Sequence, residues 1–154
     1  MFCTFGSDAA DTRWTDDPSR STPMDLHYRT AWREFYFGGS GEGDIPSPLV
    51  RAGEPIVPSV CRAIADPNMR RRRYAMAALG YIRDRRALPV LAAIVANSRE
   101  AVYTRADALE AFYRIAPSAA RRRAWNYVQR QDPLGTVARA AIANDSKYFN
   151  PTDV

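Results

Sequence analysis

The side chains in this sequence that could act on a substrate are few and scattered. His27 is the single histidine, so a catalytic triad would have to use it. It stands two residues from Asp25, and neither a serine in a nucleophile elbow nor a cysteine lies near it in the chain. Asp107 and Glu110 are one helical turn apart, which suits paired carboxylates for acid–base work. Glu110 also precedes Arg114 by four residues, the spacing of a helical ion pair, and a salt-bridged or solvated face is the reading preferred here. Gly39-x-Gly41-x-Gly43 has the outline of a phosphate cradle, but a cradle needs a strand before it and a helix N-terminus with free N–H groups after it. Glu42 and Asp44 put negative charge where the phosphate would sit, and no Lys-Ser/Thr follows, so a flexible loop is expected. No His, Cys or carboxylate cluster has metal-ligand spacing. Cys3 and Cys61 are far apart; two free thiols are expected, with a disulfide between them left open. The sequence therefore reads as non-catalytic, with no cofactor.

Arginine is the more informative residue. It outnumbers lysine 21 to 1, and its planar fork suits carboxylates, phosphates and aromatic faces. Residues 1–65 carry 6 Arg against 9 acids, a net charge of −3; residues 66–154 carry 15 Arg and Lys147 against 8 acids, net +8. Four successive arginines, Arg70 to Arg73, cannot share one helical face, because a helix turns about 100° per residue. Arg72 falls on the apolar face and is expected to bond a neighbouring helix end or an acid. Arg70, Arg71 and Arg73 are expected in solvent. Arg83, Arg85 and Arg86 mark a turn. Arg121, Arg122 and Arg123 form a second run, with Trp125 about one turn beyond, then Gln129 and Arg130.

The elements that must position these residues are helices. Arg72, Ala75, Ala78, Leu79 and Ile82 recur at steps of three and four, as do Leu88, Leu91, Ala92 and Val95, giving two apolar helical faces joined by a turn. Arg105, Ala108, Ala111, Phe112 and Ile115 copy the first set 33 residues on, and Asp132-Pro133 lies 66 residues beyond Asp66-Pro67. A fainter half-copy runs from Leu49 to Val60. Each Asp-Pro is expected to cap a helix and each Gly (Gly53, Gly80) to end one. Helices are predicted over 46–52, 55–65, 68–81, 85–96, 99–115, 118–130 and 134–144. Before them Met24, Tyr28, Ala31, Trp32 and Phe35 make one amphipathic face, expected to cover the exposed flank of the array; a partner-binding helix is the alternative.

Self-similarity at a fixed period marks a stacked-repeat architecture. The string MRRRRYAMAALGYIRDRRALPVLAAIV resembles the short HEAT-like repeats, the variety also found in phycobilisome lyases, and the resemblance spans residues 45–144. Tetratricopeptide and ankyrin repeats have a similar length, but their Trp/Tyr spacing and Thr-Pro-Leu-His motif are missing. The expected fold is an all-α superhelix of three to four helical hairpins. Residues 1–23 form an irregular segment, 24–44 a capping helix and Gly-rich loop, 45–144 the array, and 145–154 a tail.

The resemblance implies that the second helix of each pair lines a concave binding side. Its polar residues here are Arg62, Arg86, Arg121, Arg122, Trp125 and Gln129, with Arg70, Arg71 and Arg73 as further basic surface. Trp125 packed in the core beside Tyr127 is the competing placement. An Arg and Trp group suits a hot spot for an acidic protein partner; nucleic acid is the alternative, opposed by the scarcity of lysine and the lack of a recognised motif. A bilin lyase, which the resemblance would also imply, is usually longer and paired with a second subunit. The expected role is a protein-binding module: an adaptor, an assembly factor or an inhibitor of the immunity type. No apolar run suits a membrane helix and residues 1–25 lack a signal-peptide core. A bacterial cytoplasmic protein is therefore expected, or a secreted or periplasmic one if a leader has been removed.

Overall fold

A computed structural model describes residues 23–38 and 44–149, the side chains of 23–26 excepted. Cys3, Phe2, Phe5 and Trp14, the Gly39–Gly43 loop, the Met24 and Asp25 side chains and residues 150–154 lie outside the described residues. Among the described residues the chain is all-helical and without strands. The helices are α1 (Pro23–Phe37), α2 (Ser47–Ala52), α3 (Val57–Ile64), α4 (Arg72–Ile82), α5 (Leu88–Ala96), α6 (Val102–Ile115), α7 (Pro117–Ala124), α8 (Pro133–Ala143) and α9 (Ser146–Phe149). Single 3-10 turns, Glu54–Ile56 and Arg85–Ala87, lead into α3 and α5.

The helices pack against one another. Helices α2, α4, α6 and α8 touch in succession, α3 packs on α4, α5 on α6, and α7 on both α6 and α8. Ala75, Ala78, Ala108 and Ala111, which the 33-residue period relates in pairs, are all buried, as are Leu79, Leu109 and Phe112. Small side chains at those positions let α4 and α6 approach closely. Gly80 belongs to this contact and does not end the helix as expected: a Cβ there would meet the Ala111 Cα at 3.0 Å. Helix α4 ends two residues later, at Ile82, and the next residue, Arg83, takes the left-handed conformation (φ 61°) that a C-terminal glycine normally supplies.

The predicted apolar face of α1 is present. Ala31 and Phe35 are buried, and Tyr28 and Trp32 lie half-buried against the core. Helix α1 packs on α2; Trp32 Nε1 donates to Ser59 Oγ at 3.2 Å and Arg51 Nη2 to Glu34 Oε2 at 2.6 Å.

Other helix boundaries differ from expectation as well. Asp66 does not open α4: its Oδ1 accepts from the Asn68 N–H at 2.8 Å, a local Asx turn, and the helix begins at Arg72. Asp132 does cap α8, its Oδ1 accepting from the Gly135 N–H at 3.1 Å. Helix α7 stops at Ala124 rather than continuing to residue 130, and i to i+3 turn bonds follow, such as Asn126 N–H to Arg123 O at 3.1 Å. Asn126, Tyr127 and Val128 are weak helix formers, and leaving the helix lets the Tyr127 ring lie 5.4 Å from the Arg105 guanidinium carbon. In the segment expected as a tail, α9 folds back: buried Phe149 stacks on Tyr113 with ring centroids 3.9 Å apart, and the Tyr113 hydroxyl donates to Asn144 Oδ1 at 2.6 Å.

Candidate functional site

Arginines clamp helix ends throughout this molecule. The last carbonyls of a helix have no partner within it and carry a partial negative charge. Arg72 Nε donates to Ile64 O at the end of α3 (2.6 Å), and Arg105 Nε donates to Val95 O near the end of α5 (2.8 Å). Both guanidinium side chains are buried. Arg139, one residue past the next 33-residue step, reaches Val128 O at 3.0 Å and Arg130 O at 2.7 Å from the surface. Arg71 donates to Phe35 O at the end of α1. Only a long fork with several donors can hold a carbonyl and still reach an acid, which is a structural use for arginine over lysine.

This changes the meaning of the basic charge. Arg71, expected in solvent, is half-buried and bound to α1; Arg73 is exposed but paired with Asp107, one bond measuring 3.1 Å from Nη2 to Oδ1. Arg70 alone of the three is exposed and engages no acid among the described residues. Arg86 sits on the 3-10 turn before α5 rather than on the helix, and its guanidinium holds Asp84 (Nε to Oδ2, 2.9 Å) and Glu54 O (2.9 Å). The hydrogen bonds that Asp84 accepts from the Arg86 guanidinium, and then from the Arg86 N–H, keep its carboxyl below its ordinary range. Nearby Cys61, on α3, is a half-buried thiol pushed up in pKa by burial and then by the Asp84 charge.

The expected Arg and Trp group divides. Arg121 and Arg122 are exposed on α7 and engage no acid or carbonyl among the described residues. Trp125 is 63% exposed, which excludes the alternative of a core tryptophan beside Tyr127. It caps the end of α7, and exposed Gln129 lies beyond the helix in the turn. Arg123 rests its guanidinium over the Phe112 ring at 5.3 Å. Arg62 is exposed on α3.

A second surface, which sequence reasoning missed, lies over α4, α6, α8 and α9. Two adjoining open depressions of about 410 and 450 Å³ share Arg73, Asp107 and Glu110. Tyr81 lines the first, Tyr103 and Tyr148 the second. Arg114 Nη2 donates to Glu110 Oε1 at 2.7 Å, the ion pair that the four-residue spacing suggested, and stacks on Tyr81 at 4.6 Å. Arg73 lies over Tyr103 at 5.7 Å. The sequence marked Asp107, Glu110 and Arg114 as neighbours on one helix, but it did not mark the tyrosines that join them here, whose spacing in the chain is irregular.

Elements of other chemistry are sparse. His27 is exposed, and its would-be partner Asp25 lies outside the described side chains. Among the described residues no group of three or more His, Cys, Asp or Glu is placed to hold a metal, and no helix is long and apolar enough to cross a membrane. No model of a protein family, no curated protein and no solved structure matches the chain.

Proposed function

We propose that this chain is a small HEAT-like helical array that works as a non-catalytic protein-binding module, holding an acidic partner on the surface around α7. The HEAT-like reading draws support from the succession of α2, α4, α6 and α8 and from the equivalent clamps of Arg72 and Arg105, one period apart. The observation that carries the binding reading is the contrast among arginines. Many in the array are consumed by carbonyls, acids or rings; Arg121 and Arg122, like Arg62, Arg70, Arg83, Arg85 and Arg99, engage none among the described residues, and of these only Arg121 and Arg122 stand within four residues of an exposed tryptophan, Trp125.

Unneutralised guanidinium groups next to a wet indole are the composition of interface hot spots. They would engage carboxylates of the partner through bidentate bonds while Trp125 buries its ring. Charge would steer the encounter and fix orientation, as surface complementarity in an adaptor, assembly factor or inhibitor requires.

The test is co-purification of the tagged chain with the products of its neighbouring genes. A stoichiometric acidic partner is expected, released by Arg121→Glu with Arg122→Glu. Trp125→Ala should weaken it by about 2 kcal/mol, roughly thirtyfold in Kd. Binding instead to oligonucleotides, weakening steeply with salt and lost in the same charge reversal, would replace this reading with a nucleic-acid one.

A further inference from the structure

Helix α5 breaks a pattern that the other helices keep. Among the described helices it alone carries no polar side chain, from Leu88 to Ala96. It packs on α6 and buries Leu91, Ile94 and Val95. Pro89, Ala93 and Ala96, at steps of four and three on the opposite side, are exposed, so no described element covers that stripe. A surface helix ordinarily turns polar residues to water, and one that is apolar all round is ordinarily buried.

Arginine contacts place α5 between α3 and α7. Arg86, at the start of α5, holds Glu54 O just ahead of α3, and Arg72 joins Ile64 O at the end of α3 to Glu100 just beyond α5. Arg105 likewise joins Val95 O, near the end of α5, to the Tyr127 ring beyond α7. The borders of the apolar stripe are therefore basic. Arg62 on α3, Arg85 and Arg99 in the turns before and after α5, and Arg121 and Arg122 on α7 are exposed and engage no acid among the described residues. Of the acids nearby, Asp84 is held by Arg86 and Glu100 by Arg72, while Glu54 and Asp66 are exposed at the two ends of α3.

An apolar stripe between basic borders complements an amphipathic helix whose apolar ridge runs between acidic flanks. The small side chains suit a helix in particular, because they let two helices approach closely, as Ala75, Ala78, Ala108 and Ala111 do between α4 and α6. A phosphate backbone would satisfy the arginines but leave the stripe wet. We propose that the acidic partner bound at α7 continues across α5 as an amphipathic helix. Its ridge lies on Pro89, Ala93 and Ala96, with its carboxylates on Arg121 and Arg122 along one flank and on Arg62 along the other. This rests on the binding reading of the α7 surface and adds to it the conformation of the partner segment.

The probe is a phage-displayed library of random hexadecapeptides selected on the full chain, followed by fluorescence anisotropy and circular dichroism of the enriched peptides. Enriched sequences should be acidic, carry apolar residues at steps of three and four, and gain helix on binding. The deciding variant is Ala93→Arg, which adds both bulk and positive charge to the stripe. Docking against α5 predicts a loss of at least tenfold in affinity, whereas attraction by charge alone predicts a gain. Arg121→Glu/Arg122→Glu should also lose at least tenfold. Peptides that lose affinity in that charge reversal but keep or gain it in Ala93→Arg overturn the α5 proposal and leave the α7 reading standing. Peptides indifferent to the charge reversal overturn both. Thermal unfolding close to that of the parent chain shows that the exposed substitutions left the fold intact, and Ala96→Arg serves as an independent variant if Ala93→Arg does not fold. Enrichment of basic peptides, or of acidic ones that gain no helix, overturns the proposal. So does self-association in sedimentation velocity that Ala93→Arg abolishes, which makes the occupant a second copy. A tenfold gain in peptide affinity on deleting residues 1–22 also overturns it, by making that segment the occupant.

Discussion

Arg72 grips Glu100 through both terminal nitrogens, Nη1 to Oε2 at 2.8 Å and Nη2 to Oε1 at 2.9 Å, while its Nε holds the Ile64 carbonyl. One nearly buried guanidinium thus ties the end of α3 and the start of α4 to the turn that precedes α6. Arg105, its counterpart 33 residues on, keeps the carbonyl clamp on Val95 and exchanges the carboxylate for the Tyr127 ring.

That difference sets an order of stabilities. Removing one partner of a buried ion pair strands the other, so Arg72→Met and Glu100→Ala should each cost about 3–5 kcal/mol. Arg105→Met strands only a carbonyl, and about 1–3 kcal/mol is expected. Urea unfolding followed by circular dichroism measures all three. Equal losses at Arg72 and Arg105 would refute the argument.

Adding one methyl group tests the close approach of helices. Ala is the better helix former by about 1 kcal/mol. At Gly80, however, the new Cβ would press on Ala111 Cα (3.0 Å) and Arg114 Cδ (3.1 Å), and the backbone atom cannot yield. Gly80→Ala should therefore destabilise by about 1 kcal/mol net. At Gly135 the Cβ would fall 2.1 Å from the Arg130 carbonyl oxygen, so Gly135→Ala should be the more damaging of the two, with a visibly larger drop in Tm.

The two Asp-Pro copies should respond differently. Asp132→Ala removes a helix cap and should lower Tm, whereas Asp66→Ala alters an exposed turn and should stay within about 0.5 kcal/mol of the parent. The Asp132 carboxyl is held below the ordinary value of 3.8, first by its hydrogen bonds from Arg130. A depressed carboxylate stabilises the fold above that value and loses its contribution as pH falls through the lower folded one. The gap in Tm between the parent chain and Asp132→Ala should be constant near neutrality and close progressively below about pH 4. A gap that persists at pH 2 would show that the charge is not what matters.

Cys61 should be a sluggish nucleophile. Its thiol is pushed above the ordinary value of 9.0 by burial and by Asp84, so little thiolate exists at pH 8. In a Cys3→Ser background, alkylation by iodoacetamide should run slower than for free cysteine, and Asp84→Asn should speed it. Reaction as fast as the free amino acid would contradict the burial seen here.

Much of the helical framework was legible in the residues themselves, because apolar positions at steps of three and four report a helix wherever it packs. The inward place of Arg72 could be read because it lies on the same face as Ala75 and Leu79. The face of α1 and the Glu110–Arg114 pair were legible for the same reason: both depend on neighbours within one helix. What the period could not show was where α7 ends. That is decided by the fit of Tyr127 beneath Arg105, twenty-two residues earlier.

The same limit governs the surfaces. Composition determined that the second half of the chain is strongly basic, but only packing decided which arginines remain available, since each clamp joins residues 8 to 36 positions apart. Tyr81, Tyr103 and Tyr148 come from α4, α6 and α9, and nothing in their spacing relates them. Local periodicity records what a segment needs from its own helix, whereas a groove exists only where side chains from separate helices meet.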